Sequence, residues 1–419
     1  MHHFHYRDDR LFAEDVPVAA IAARVGTPFY LYSHATLEHH FRTFDAAYHG
    51  PHLTCFSVKS LSNLAVLRLL ARLGAGMDVV SGGELYRALR AGVPGERICY
   101  SGVGKTRREI DAALAADILM FNVESPQELD AISARAKALG CIARVALRVN
   151  PDVDPKTHPY ISTGLKKNKF GIDIEAAEAE YRRAAVLPGL EVCGLDCHIG
   201  SQLTKVSPFV DSLVRLKELL ARLRAMGLDI HYLDLGGGLG ITYDKEEPPH
   251  PNDYAAAIER ELDGLDLTVI FEPGRVIVGN AGVLVTRVLY VKDGSFKRFV
   301  IVDAGMNDLV RPSLYGSYHA LWPVARDAGR GEAEADVVGP ICESGDFLAQ
   351  GRVLPEVRAG ELLAAMSAGA YGFTMSSNYN SRPRVPEILV KGDRFFVIKK
   401  RETYARLVAG EVVPDFLKD

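Results

Sequence analysis

The chain has 419 residues, 48% hydrophobic and 24% charged, enough to bury a large core and to suggest two or three domains. Its formal net charge of -4, with no long basic run, argues against nucleic acid as a partner. The N-terminus, MHHFHYRDDR, lacks the apolar segment of a signal peptide, and charges break every apolar stretch before it reaches membrane-spanning length. Six cysteines in such a chain point to reduced thiols and a cytoplasmic location.

In chain order, His2, His3 and His5 come first. Interrupted by Phe4, they read as a mobile, solvated terminus. From about residue 50 to 280, short apolar runs alternate with helical patterns: LTCFSVK, AGMDVVS, RICYSG, DILMFNVES, ARVALRVN, EVCGLDCHIG, HYLDLGGG and LTVIFEPGR. In the first, Phe56 and Val58 read as strand and Lys59 falls at its end, either as a solvated lysine or as a reactive amine. SGVGKTRRE resembles half a Walker A loop, but Cys99 holds the place of its first glycine, which argues against a nucleoside triphosphate. EVCGLDCHIG reads as a strand with Cys193 and Cys197 on one face and His198 on the other, so the three do not converge on a metal and none is expected. In SPFVDSLVRLKELLARLRAMG, Phe209, Leu213, Leu216, Leu220 and Leu223 recur at helical steps, with Ser207 as N-cap, Pro208 first in the helix and Gly227 as stop. DLGGGLG offers unobstructed backbone N–H groups, as a phosphate requires, or is simply a tight turn. It is not a dinucleotide fingerprint, because Ile241 stands at the last glycine of GxGxxG.

Eight strand–helix units match a (β/α)8 barrel, although a doubly wound sheet alternates too. After residue 280 the rhythm changes. GVLVTRVLYVKDGSFKRFVIVDAG reads as two strands joined at an Asp-Gly turn, and PEILVKGDRFFVIKKR repeats the pattern, which predicts a separate β domain. In a barrel, chemistry sits where strands end. Those positions hold Lys59, Ser81, Glu84, Asn122, Asn150, His198, Ser201, Gly236 to Gly238 and Glu272 to Arg275. A lysine, a phosphate cradle and a carboxylate on one rim are the parts pyridoxal phosphate needs.

FSVKS, DVVSGGEL, HIGSQ, LDLGGGLG, FEPGR, PSLYGSYH, CESGD and SAGAYGFTMSSNYNSRPRVPEIL resemble the diaminopimelate decarboxylase family, of the fold-type III pyridoxal-phosphate enzymes related to alanine racemase. The resemblance covers nearly the whole chain; FSVKS departs mildly from the family's more usual Tyr-Ala-x-Lys-Ala-like run. It implies an alanine racemase-like fold: a (β/α)8 barrel over residues 35–280 that binds pyridoxal 5'-phosphate, and a β domain built from 1–34 and 281–419. It also implies a homodimer whose active sites are each completed by the partner's CESGD segment.

By resemblance, Lys59 carries the cofactor as a Schiff base and His198 stacks on its ring. Ser201, Gly237, Gly238, Gly274 and Arg275 hold the phosphate together with Tyr371, and Glu272 faces the pyridine nitrogen. Arg275, Arg311 and Tyr315 grip the carboxylate at the non-reacting end of the substrate, with Tyr371 nearby. Glu343, in trans, binds the amino group there, and Cys342, also in trans, protonates the carbanion. Outside that pattern Cys342 reads as an inert buried thiol. The implied reaction is decarboxylation of meso-2,6-diaminopimelate to L-lysine. Related decarboxylases of arginine, ornithine or carboxynorspermidine, an alanine racemase-like enzyme and a non-catalytic regulator are the rival readings. Glu272 argues against the racemase, Arg311 and Glu343 against the other decarboxylases, and intact Lys59 and Cys342 against the regulator.

Overall fold

All eight apolar runs between residues 50 and 280 become parallel strands in the computed structural model, which describes residues 2–153 and 169–417. They are β1 (His52–Ser57), β2 (Gly76–Val79), β3 (Ile98–Tyr100), β4 (Met120–Val123), β5 (Ala143–Asn150), β6 (Leu190–Asp196), β7 (Tyr232–Asp234) and β8 (Thr268–Phe271). Each pairs in parallel with the next, and β8 pairs with β1, so the sheet closes into a barrel. A short extra strand, Ile172–Asp173, adds to β5.

Strands covered on both faces need no polar alternation, and β2, β3 and β4 are buried at every residue. The intervening helices carry their own start and stop signals. Asn63, Ser81 and Ser125 each accept a hydrogen bond from the first turn of the helix they precede, and Thr106 with Glu109 forms a capping box. The helix Ser207–Ala225 begins one residue earlier than its sequence suggests. Ser207 is its first residue and makes no cap bond, while Gly227 follows its end at φ +84°.

Side chains fill the barrel in layers. Cys55, Cys99, Met120, Ala146, Cys193 and Ile270 form an apolar plug towards the starts of the strands. A Cβ on Gly76 would lie 2.5 Å from the carbonyl oxygen of Arg97 and 2.8 Å from the Cys55 sulfur, so only glycine fits there. Polar groups are confined to the opposite ends of the strands, where Asp78, Asn122, Arg148, Asp196, Asp234 and Glu272 are all buried.

The chain divides into two units, Leu37–Gly279, which holds the barrel, and Met1–Thr36 with Asn280–Asp419. The second unit contains a mixed sheet running in the order Phe347–Pro355, Glu332–Val338, Arg298–Val302, Gly282–Asp293, Phe29–Ser33, Glu387–Lys391, Arg394–Lys399. Both expected hairpins form. Asp293 pairs with Arg298 around a four-residue loop closed by Gly294 N–H to the Lys297 carbonyl, longer than a bare Asp-Gly turn. Lys391 pairs with Arg394 around Gly392 and Asp393.

The N-terminus is not the mobile tail its histidines suggest. Phe4–Arg7, Arg10–Ala13 and Val16–Pro17 form an antiparallel sheet, and Phe4 and Leu11 enter the core with Ile21, Phe29, Leu31, Val283 and Ile388. Phe4, between the histidines, and Leu11 decide the matter, because burying them outweighs the entropy of a free end. All six cysteines are unbridged, and no helix among the described residues is long and apolar enough to cross a membrane.

Glu14 ties this unit together. Buried, and left-handed at φ +51°, its carboxylate accepts from Ser33 Oγ (2.8 Å), Ala35 N–H (2.8 Å) and Gly392 N–H (2.6 Å). Glu14→Ala strands these donors and is expected to destabilise the β unit by about 2–4 kcal/mol. Chemical denaturation measures this; a loss below about 0.5 kcal/mol would show that water replaces the carboxylate at no cost.

Candidate active site

Lys59 does not end β1 as part of the strand. The strand stops at Ser57, and Val58–Ser60 make one 3-10 turn that lifts the Lys59 side chain, 36% exposed, over the barrel end. Its Nζ donates to Asp78 Oδ2 at 2.7 Å, and Ser57 Oγ donates to the same oxygen at 2.8 Å. Asp78 is fully buried, and its Oδ1 has no hydrogen-bond partner among the described residues. One oxygen of this buried side chain therefore holds the amine in place.

Glu272 follows β8. Its N–H donates to the Gly236 carbonyl, and its own carbonyl accepts from Ser57 Oγ at 3.0 Å. Its Oε1 accepts from Ser101 Oγ and Asn122 Nδ2, both at 3.3 Å, while Asn122 also donates to Asp234 Oδ2 at 2.9 Å. Burial, then the neighbouring Asp78 and Asp196, push the Glu272 carboxyl up to about 8 against the opposing pull of Lys59 and Arg148. Asp234 is pushed in the same direction by burial and by Glu272. A carboxyl in this state gains by meeting a protonated ring nitrogen, which restores the counter-charge that burial removed.

His198 and Cys197 lie past the end of β6, so strand alternation does not set their faces. Gly237 N–H donates to His198 Nδ1 at 3.1 Å, which leaves the proton of the neutral ring on Nε2. Burial, Arg148 and Lys59 hold the imidazole well below its usual value, so it is neutral at pH 7. Gly237 thus orients the histidine that is expected to stack on the cofactor.

The glycines still make a cradle. A Cβ on Gly237 would meet the Glu272 carbonyl oxygen at 2.2 Å, and one on Gly238, at φ +118°, the Gly200 carbonyl oxygen at 2.5 Å. Gly274 passes so close to Ser57 and Ser60 that an added Cβ would be 3.1 Å from theirs. Arg275 is buried and donates to Tyr243 Oη (2.5 Å) and Ser201 Oγ (3.1 Å). Lys59, His198, Ser201, Gly237, Gly238, Glu272, Gly274 and Arg275 thus gather at one barrel end, with a glycine-lined turn, a lysine and a proton-hungry carboxyl. These groups fit pyridoxal phosphate.

Lys105 of the half-Walker segment is spent elsewhere. Only 1% exposed, it donates to Glu128 Oε1 (2.7 Å) and to the carbonyls of Asn122 (2.8 Å) and Gly102 (2.9 Å), bracing the ends of β3 and β4. The remaining candidates lie on the second unit. Buried Arg311 donates to His319 Nε2 at 3.0 Å, because His319 Nδ1 must carry its proton to the Met366 carbonyl at 2.8 Å. Tyr315 closes the same short helix, Arg311–Tyr315. Ser313 of that helix donates to the Gly345 carbonyl, which joins it to the loop of Cys342 and Glu343. Both of those side chains are exposed, so Cys342 is not an inert buried thiol. Tyr371 is half-buried, at φ +56°.

Sequence reading missed Asp78, Ser101, Asp234 and His319, and gave Asn122 no role. Asp78, Asn122 and Asp234 each had a signal, a single polar residue inside an apolar strand (GMDV, MFNV, YLD), which a buried parallel strand tolerates only where the polar group has partners.

Comparison with known proteins agrees with this geometry. Residues 34–279 match the family model described as pyridoxal-dependent decarboxylase, pyridoxal binding domain. Diaminopimelate decarboxylase of Pseudomonas fluorescens is 56% identical over 410 residues, 97% of this chain and 98% of the relative. The crystal structure of diaminopimelate decarboxylase from Helicobacter pylori complexed with L-lysine superposes with a TM-score of 0.90 at 44% identity, covering 93% of this chain and 98% of that one. That of the M. jannaschii enzyme in co-complex with L-lysine gives 0.94 at 39% identity, covering 99% of each chain.

The Glu272 carboxyl has a measurable consequence in protein stripped of cofactor. Between about 4.5 and 8 the folded state keeps a proton that the unfolded state has released, so stability falls as pH rises through that window. Glutamine does not titrate. Glu272→Gln should therefore match the parent near pH 5 and unfold at least about 2 °C higher above pH 8. A difference that stays constant from pH 5 to 9 in thermal scans would mean that Glu272 titrates as an ordinary surface carboxyl.

Proposed function

The chain belongs to the diaminopimelate decarboxylases, pyridoxal-phosphate-dependent carboxy-lyases that convert meso-2,6-diaminopimelate to L-lysine and carbon dioxide, and from that premise we propose how its residues divide the work. The observation that carries the assignment is Lys59 poised on Asp78 above the glycine cradle, in a barrel end that also holds Glu272.

Lys59 is the covalent anchor of the cofactor, and Asp78 holds its amine in position. When bound, pyridoxal phosphate supplies an electron-accepting ring for the electron pair left on Cα as carbon dioxide departs. Glu272 gives the ring nitrogen its counter-charge, and Ser101 and Asn122 fix the carboxyl. His198, kept neutral, lies against the ring without adding a second positive charge. Ser201, Gly238 and the backbone at Gly274 and Arg275, with Tyr371, hold the phosphate. The burial of this barrel end keeps water from the departing carboxylate.

The substrate has two amino-acid ends, and the protein must seize one and react at the other. Arg275, Arg311 and Tyr315 bind the carboxylate of the non-reacting end, and Glu343 binds its ammonium. His319, accepting from Arg311, fixes the guanidinium for that task. Cys342 delivers the proton to Cα.

Cys342 and Glu343 act across a homodimer in this reading. Tyr404, Val412 and Phe416 are large apolar side chains left 79%, 82% and 83% exposed in the single chain, which supports cover of the C-terminal segment by a second copy. The unbridged thiols support a cytoplasmic location.

Release of carbon dioxide from meso-diaminopimelate, set against lysine, ornithine and arginine, tests the specificity; comparable turnover of ornithine would defeat the clamp. Lys59→Ala should keep its fold but lose the absorbance of lysine-bound cofactor. Cys342→Ala should fold and be nearly inactive. Mixing the two variants with subunit exchange should restore about a quarter of the sites, because half of randomly paired dimers are mixed and each mixed dimer has one intact site. If Cys342 serves the Lys59 of its own chain, mixing recovers nothing.

A further inference from the structure

Cys342 and Glu343 sit at the exposed crest of a loop that needs something to hold it. Its base is secured: the carboxylate of buried Asp346 accepts from Ile341 N–H and Met306 N–H, both at 2.6 Å, and Ser313 Oγ donates to the Gly345 carbonyl. At the crest, Cys342 N–H donates to Asn380 Oδ1 at 2.7 Å, a contact across 38 residues of sequence.

Asn380 comes from an unusual piece of backbone. Asn380 (φ +54°) and Ser381 (φ +55°) are consecutive non-glycine residues in the left-handed region. Asparagine tolerates that conformation better than other side chains, but serine is not favoured there, and two in succession are costly. The turn is forced to keep this shape. Asn378 Nδ2 donates to the Arg382 carbonyl (3.0 Å) and to Glu402 Oε2 (2.8 Å), Glu402 also takes the Arg384 N–H (2.9 Å), and Arg382 Nη2 donates to the Asp303 carbonyl (3.0 Å). A strained turn clamped at both ends persists when its conformation is used. The group it delivers is the Asn380 side-chain oxygen.

We infer that Asn380 is a positioning residue for the reaction: the clamped turn 378–382 exists to present its Oδ1 to Cys342 N–H and so fix where the thiol of Cys342 and the carboxylate of Glu343 stand. It rests on Cys342 and Glu343 acting on substrate. Because the two are adjacent on one crest, releasing the hold loosens proton delivery and recognition of the distal ammonium together, so kcat falls and KM rises in the same variant. Damage to Cys342 or to Glu343 alone does not have this signature.

Three substitutions separate the hydrogen bond from the backbone. Asn380→Gly removes the acceptor and also relieves the left-handed strain, so it should unfold no lower than the parent. Asn380→Asp keeps an acceptor oxygen in the same place. Cys342→Ala reports on the underlying reading. In the full-length, cofactor-loaded enzyme, Asn380→Gly is expected to lower kcat about two- to threefold and raise KM by a similar factor, so that kcat/KM falls about four- to tenfold, the usual scale for one lost hydrogen bond. Deuterium uptake of a peptide spanning residues 340–347 should rise with it. Asn380→Asp should recover most of the turnover and the protection. Parental kcat, KM and uptake in Asn380→Gly would overturn the inference, as would equal losses in the glycine and aspartate variants. If Cys342→Ala keeps parental turnover, the assignment of the thiol fails, and the reason for holding it fails too. A dead Cys342→Ala beside a fully active Asn380→Gly would count against Asn380 alone.

Discussion

Everything at the barrel mouth depends on keeping a group of carboxyls out of water. Asp78, Asp196, Asp234 and Glu272 are all buried at the strand ends, with Lys59, Lys105 and Arg148 among the nearby cations. Desolvated like charges repel strongly, so some of them stay protonated: Glu272 is pushed up to about 8 and Asp196 to about 7. An arrangement of that kind is a poor way to stabilise a barrel. It is a good way to hold a cationic ring, because the binding of positive charge relieves repulsion already built into the fold.

The rest of the barrel follows from this constraint. Its other end is packed with cysteine, methionine, alanine and isoleucine, an apolar layer beneath the carboxyls. The loops at the polar end are braced by buried ion pairs and hydrogen bonds. Glu124 accepts from Gly102 N–H, Gly171 N–H and Arg148, and Lys105 ties β3 to β4. Arg148 is thereby kept buried and charged among the acids, where it helps to hold Glu272 ionisable and His198 neutral. The cradle glycines are required by close backbone approach: at Gly237 and Gly238 a methyl group would collide with a carbonyl.

The β unit solves a different problem. Of its candidate side chains Arg311 is buried, Tyr315 and Tyr371 are half-buried, and Cys342 and Glu343 are exposed, and hydrogen bonds and strained backbone aim them. Left-handed residues at Ser367, Tyr371, Asn380 and Ser381 fall in the segments that carry or support the proposed substrate and phosphate contacts. Buried Asp346 and His319 serve the same end, one fixing a loop and the other a guanidinium.

The architecture was legible in the sequence because parallel strands covered on both faces read as bare apolar runs, and eight such runs separated by helices leave few alternatives. Lys59, His198, Glu272 and the glycines stood out for a related reason: a polar residue at a strand end is visible without knowing its neighbours. Tertiary structure alone decided what depends on contacts distant in sequence. Local pattern could not show that Phe4 anchors an N-terminal strand in the core, that Lys105 is neutralised by Glu128, or that Gly237 turns its N–H to His198. Nor could it show that Asn380 reaches Cys342. Periodicity records which face of an element is buried, whereas the partner of each buried or strained polar group is set by where the chain returns, and that information is spread over the whole fold.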